Sequence, residues 1–277
     1  MNENALTVSS VFRDAMAIFK KSFWKIVGTL LIGLVLYLPF LALNYFSEGK
    51  SKIIVAAASL VTSLCLIVLQ SVVQQATLRV AIKEVSVGQA FSSSLSDWRA
   101  VVTTFILMTA IIYGGFIFLI IPGIIFSLLF SFASAVLADE GKSGIEALMR
   151  SKSYVAGRWW KTLGYFILSG LAVIGAILVA AIGFIVSPVI GIILMIPAVV
   201  FAFTFPVAFL VALYRALAAS RLEVRSAAVP APHWFQKAAI IAGIIIFVFM
   251  LFAGAFSENK KNKAVPARDF LGSYLGM

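Results

Sequence analysis

An all-helical membrane bundle is the fold class this sequence predicts, and three observations predict it. The chain is 62% hydrophobic and 12% charged, with a mean hydropathy of +1.07, whereas soluble domains carry about 25% charged residues. Seven stretches approach or exceed the ~20 apolar residues that span a bilayer: roughly 23–46, 53–73, 101–121, 123–138, 162–187, 189–214 and 238–256. Basic residues gather on one side of those stretches. The expected architecture is a six-helix core of three repeats, each an amphipathic interfacial helix plus a transmembrane hairpin, with a seventh C-terminal transmembrane helix.

The first repeat unit, 7–73, opens on "TVSSVFRDAMAIFKK" and turns apolar at "SFWKIVG". Phe12, Met16, Phe19 and Phe23 recur at helical spacing, with Arg13, Asp14, Lys20 and Lys21 on other faces. Such a helix lies in the interface with its apolar face toward acyl chains. The residues before the first apolar run include Glu3 and Asp14, which argues against a cleavable leader, so the first span is expected to be an uncleaved anchor.

The second unit, 86–138, opens on Ser86 with Gln89 three residues on, a capping box. Phe91, Leu95 and Trp98 form its stripe, and the phrase "DWRAVVT" leads into the membrane. The third and fourth apolar stretches are parted only by Pro122, which predicts a tight hairpin there. The third unit, 143–214, repeats the order: Ser143 and Glu146 as a capping box, the stripe Leu148, Ser151, Val155 and Trp159, then "RWWKTLG" and a hairpin at Pro188. Thr7 keeps the cap of the first unit without the box.

In each unit a Trp is followed at once by a basic residue: Trp24 and Lys25, Trp98 and Arg99, Trp160 and Lys161. These are expected to be interfacial anchors, indole at headgroup depth and cation snorkelling outward. Residues 1–225 thus form the six-span core. Residues 226–277 form a Pro230/Pro232 linker, the seventh span and a polar tail.

With the N-terminus inside, the basic residues on the outside are Lys50 and Lys52 and the tail's Lys260, Lys261, Lys263 and Arg268; the rest of the 22 fall inside. That bias predicts a cytoplasmic N-terminus and a C-terminus on the other side of the membrane. The net charge of +11 then addresses anionic headgroups at the cytoplasmic face. A nucleic-acid partner is not expected, since no segment outside the apolar stretches is long enough for a basic domain with stacking aromatics.

No span centre carries an ionisable residue, which speaks against proton-coupled transport and intramembrane hydrolysis. One His and one Cys cannot build a zinc site, and no cofactor is expected. The Gly141-Lys142-Ser143 tripeptide is not a P-loop, because Val136 stands where its first glycine is needed. Asp139 and Glu140 read as solvated charges at a helix end. Gln70, Gln74 and Gln75, with Arg79 following, offer either a polar lining or headgroup notch, or hydrogen bonds between helices. Ala172, Ala176 and Ala180 permit close helix approach, and Pro197 and Pro206 interrupt the sixth span.

Residues 121–164 carry Ile121-Pro122-Gly123-Ile124, Glu140-Gly141, Ala147-Leu148-x-x-Ser151 and Gly157-x-x-Trp160. This run resembles a broad group of bacterial polytopic inner-membrane proteins. The group includes the YciC-like proteins and the membrane domain sometimes fused to glycerophosphodiester phosphodiesterases. The N-terminal "SSVFRDAMAIFKKSFWKIVG" is similar to that group's opening. The resemblance implies a six-helix inner-membrane bundle. It implies no catalysis, since the fused enzyme's soluble barrel has no counterpart here. The function expected is a non-enzymatic scaffold or lipid-interacting component in envelope or membrane homeostasis, with the bilayer and other membrane proteins as partners. The rival is a small-solute or lipid transporter or channel, its pathway formed by the glutamine face and the Pro197/Pro206 breaks.

Overall fold

The computed structural model describes residues 7–47, 51–118 and 120–232, and a scatter of positions between 234 and 249. The described residues are helical, with no strand. Six helices or helix pairs are long and apolar enough to cross a membrane. They are α1 (Val8–Ser47), α2 (Lys52–Lys83), α4 (Trp98–Phe118), the pair α5 (Ile120–Phe130) and α6 (Ala133–Glu140), α8 (Trp159–Val186) and α9 (Pro188–Ala219). The short α3 (Val87–Ser96), α7 (Gly144–Val155) and α10 (Leu222–Ser226) connect or follow them.

Three antiparallel hairpins, α1–α2, α4–α5 and α8–α9, join side by side: α9 packs along α1, α2 on α4, and α5 touches α8. At 1.5 Å per residue, α1 is ~60 Å long, about twice the ~30 Å hydrocarbon core. The burial pattern divides accordingly. The packed core lies at one end, built from Val11–Ile26, Ala76–Ile82, Phe130–Ala138, Ala147–Val155 and Phe205–Ala218. The rest of the hairpins expose large apolar side chains all along their length, such as Leu34, Val35, Val61, Phe116, Ile185 and Phe203. A soluble protein does not tolerate an apolar belt of that extent. This is a multi-pass membrane protein.

The two later hairpins turn on a shared contact. A Cβ at Gly115 would meet Phe126, and one at Gly123 would meet Phe116. At the same spacing, a Cβ at Gly183 would meet Leu194, and one at Gly191 would meet Phe184. In both, glycine lets the helices approach while a Phe covers the opposite glycine. Pro122 does not make its turn; it lies in the first turn of α5, where a missing N–H costs nothing. Pro188 does start its helix, behind the Ser187 cap that accepts from the Val189 N–H (3.3 Å).

Several expectations are corrected. The first unit has no break at Trp24: α1 runs unbroken through it, because nothing between Thr7 and Gly28 interrupts a helical ladder. The later units do break, at Asp97 before Trp98 and at Ala156–Arg158 before Trp159, where Gly157 takes a positive φ. The capping box forms at Ser86/Gln89 but not at Ser143/Glu146. There Gly144 has a positive φ and its N–H goes instead to Thr104 Oγ1 on α4 (2.7 Å).

Of the stripes expected to face acyl chains, those of the first and third units pack on protein, while the second leaves Leu95 and Trp98 exposed. Phe12 and Phe19 pack on Phe205, and Phe19 also on Phe201, all by ring contacts from α1 to α9. Leu148, Ser151 and Val155 of α7 are wholly buried. The fourth span is itself broken at Ser131–Phe132. The break is held by α7: Ser151 Oγ accepts from the Phe132 N–H (3.2 Å) and donates to the Leu129 carbonyl (2.7 Å). A side chain inserted in the backbone ladder is a recognised cause of a helix break. A short helix, α10, leads into the 226–277 segment. Residues 240–245 are helical, and Gly243 lies directly on the Ala110 backbone of α4. The end of the seventh span and the polar tail lie outside the described residues.

Candidate functional site

Charged residues from several helix ends meet at the packed end of the bundle. Lys21 pairs with Glu84 (2.6 Å) just past α2, and Lys25 Nζ donates to the Glu84 carbonyl (2.8 Å). Lys25 is thus an anchor between helices: it satisfies a C-terminal carbonyl of α2. Glu84 adopts a left-handed φ of 59°, and the hydrogen bond from Lys21 holds its carboxyl below the ordinary carboxylate value. Arg215 Nη2 donates to Ile82 O (2.7 Å). A small pocket of ≈ 170 Å³ beside it, between α1 and α9, is lined by Asp14, Ala17, Ile18, Ala212 and Arg215.

The three Trp sit where the packed end meets the apolar belt. Trp24 is 79% exposed and Trp160 68% exposed. Trp98 is also exposed, with the Arg99 guanidinium 5.7 Å from its ring centre. Trp160 stacks on Trp159 (3.9 Å between ring centres). Exposed indoles beside cations at such a boundary match interfacial anchoring.

Gln70 and Gln74, four apart, share a face of α2, and Gln75 lies off it. Gln70 is exposed and Gln74 half-buried, while Gln75 is buried. In the amide orientation that satisfies its surroundings, Gln75 donates to Ser134 O (3.3 Å) and accepts from the Ala138 N–H (3.1 Å). It therefore ties α2 to α6. Arg79, also buried, reaches Asp97 (2.9 Å) at the α3–α4 junction.

The cluster that sequence reasoning missed starts from Asp139 and Glu140, which are far from freely solvated. Glu140 is 6% exposed at its side chain and Arg150 2%, with Arg150 Nε 3.3 Å from Glu140 Oε2. The Nε makes no hydrogen bond, so the pair is held by charge rather than by an aligned N–H. Tyr154 OH donates to Glu140 Oε1 (2.7 Å), and Tyr214 OH lies within hydrogen-bond reach of Asp139 Oδ2 (3.0 Å) and Glu140 Oε1 (3.2 Å). Arg225 of α10 pairs with Asp139 (2.9 Å), and Arg150 Nη2 donates to Ala227 O (2.8 Å). Two carboxylates face two guanidinia, so the network is neutral. Burial, then the bond to Glu140, pushes the Tyr154 phenol well above its ordinary value. The arrangement fastens α6, α7, α9 and α10 to one another. The missed signal was the i, i+4 pair Arg150 and Tyr154, which lies off the Leu148, Ser151 and Val155 stripe of α7 and is buried with it. Among the described residues no group of His, Cys, Asp or Glu is arranged to hold a metal ion.

No protein-family model, curated protein or solved structure matches the chain.

Proposed function

We propose that this chain is a non-enzymatic scaffold or lipid-interacting component of the bacterial inner membrane, its charged end seated on anionic headgroups at the cytoplasmic face. One observation carries the reading: Trp24, Trp98 and Trp160, each followed by a cation, are exposed on helices whose packed residues lie close by in the chain. On this reading the N-terminus is cytoplasmic and residues 238–256 carry the tail outside, a path supported by the contact of Gly243 with Ala110. The matched Gly-Phe contacts in α4–α5 and α8–α9 support a repeat of the hairpin unit. The YciC-like resemblance stays a proposal on the motifs quoted above. The bonds of Gln75 to α6 support packing over a solute pathway.

The test is lipid analysis of the purified protein. Phosphatidylglycerol should be enriched over its share of the membrane, and replacing Lys20, Arg99 and Lys161 by Gln together should reduce that enrichment. Equal lipid content in variant and wild type would sink the headgroup reading.

A further inference from the structure

At the turn between α7 and α8, two guanidinia converge without an acid between them. Arg221 donates from Nη1 to Ser153 O (2.6 Å) and from Nη2 to Ala156 O (2.6 Å), closing the end of α7. Arg158, at the head of α8, donates from Nη1 to Ser220 Oγ (2.5 Å), and Ser220 adjoins Arg221 in the chain. Ser220 Oγ is fixed by its own bond to Leu217 O (2.9 Å). Among the described residues neither guanidinium forms an ion pair, whereas the buried Arg79 and Arg150 each have a carboxylate partner.

Each guanidinium has five N–H donors. The protein contacts occupy one group on Arg158 and two on Arg221. Burial pulls the Arg221 pKa down and the charge of Arg158 pulls it further, while Glu223 acts on it only from beyond ion-pair distance. The first turn of α8 opens at the same place, and its N-cap residue Arg158 supplies no side-chain cap. Both side chains are partly accessible, and Trp159 and Trp160 stand alongside at the edge of the apolar belt.

We propose that Arg158 and Arg221 clamp a phosphate group, taken from a phospholipid headgroup or from free phosphate, at the turn between α7 and α8. A planar fork reads phosphate oxygens in pairs, and one anion between the two cations removes their mutual repulsion. The proposal rests on the headgroup reading for its lipid source and names the place where that source would be held.

The full chain is placed in phosphatidylcholine nanodiscs with and without phosphatidylglycerol, and bound lipid is counted by native mass spectrometry. Wild type should retain phosphatidylglycerol, Arg158→Gln should retain it about tenfold less, the loss of a charge-assisted contact, and a variant at exposed Lys83, Lys83→Gln, should be close to wild type. Equal, small losses in Arg158→Gln and Lys83→Gln overturn the clamp and leave the headgroup reading intact. In detergent without lipid, inorganic phosphate is titrated against the thermal midpoint. A rise that Arg158→Gln abolishes, with no preference for phosphatidylglycerol, supports a clamp for free phosphate and removes the headgroup reading. No response to either probe overturns both. Should Arg158→Gln lower the midpoint in pure phosphatidylcholine, the comparison moves to Arg158→Lys, which keeps the charge and loses the fork. Full retention in that variant overturns the clamp.

Discussion

The Ser151 hydroxyl and the Phe132 amide are joined across a helix break: Oγ accepts that N–H at 3.2 Å while donating to Leu129 O. Ser151 is fully buried. Replacing it by Ala leaves a donor and an acceptor of the backbone without partners in an apolar core, which costs about 1–3 kcal/mol for each group left unmade. Ser151→Ala should therefore lower the thermal midpoint in detergent by more than Ser153→Ala, whose hydroxyl bonds only within its own helix. Equal midpoints for the two variants would remove this role.

Glu140 and Arg150 should show strong non-additivity. Removing one charge strands the other in the core, a change of about 3–5 kcal/mol, whereas replacing both by apolar residues of similar volume is often neutral. Unfolding midpoints for Glu140→Gln, Arg150→Met and the double variant test this. A double variant as unstable as the sum of the two single ones contradicts it.

Legibility followed these same contacts. The apolar spans and the Ser86/Gln89 cap could be read because each depends on residues near one another in the chain. The network of Asp139, Tyr214 and Arg225 could not, since it joins residues from α6, α9 and α10 that meet only after packing. The inward-facing stripes were visible as stripes. Their partner was misassigned because acyl chains and a protein core impose the same periodicity on a helix. The continuity of α1 through Trp24 was hidden for a related reason: the aromatic-basic phrase marks a boundary of polarity and carries no helix-breaking residue.

Hairpin closure should depend on its glycines. Gly191→Ala drives a Cβ into the Phe184 ring, and Gly123→Ala one into Phe116. Overpacking of this kind costs about 1–3 kcal/mol. Gly175→Ala meets nothing within 4 Å and should be neutral or slightly stabilising. Thermal midpoints for the three variants decide it, and an equal response would show that the tips do not need close approach.

Glu84 combines strain with a favourable charge. Its left-handed φ favours glycine by about 1 kcal/mol, so Glu84→Gly should match or exceed wild-type stability despite losing Lys21. Glu84→Gln keeps the strain and loses the ion pair. Because the folded carboxyl titrates below its ordinary value of 4.5, its contribution is present above that pH and is lost as pH falls through the folded value. The difference between wild type and Glu84→Gln should be measurable at pH 7 and vanish in acid; a difference that persists there contradicts the assignment.

Tyr154 gives the opposite sign. Its folded phenol titrates above 10, so its stabilisation is complete at neutral pH and declines as pH rises through that region. Tyr154→Phe should be less stable than wild type at neutral pH but lose less of its stability in alkali. Parallel alkaline curves would count against a phenol raised by its burial and its bond to Glu140.

The rings of Phe12 and Phe19 find their partners, Phe201 and Phe205, in α9, the last helix of the three hairpins. During synthesis the first helix must therefore wait for the last hairpin. A ribosome that stalls before residue 205 leaves an unfinished product with an aromatic stripe bare, a surface that quality-control proteases and chaperones can recognise. Closure of the packed end is in that sense a completion signal, given only when all three hairpins have been delivered to the membrane.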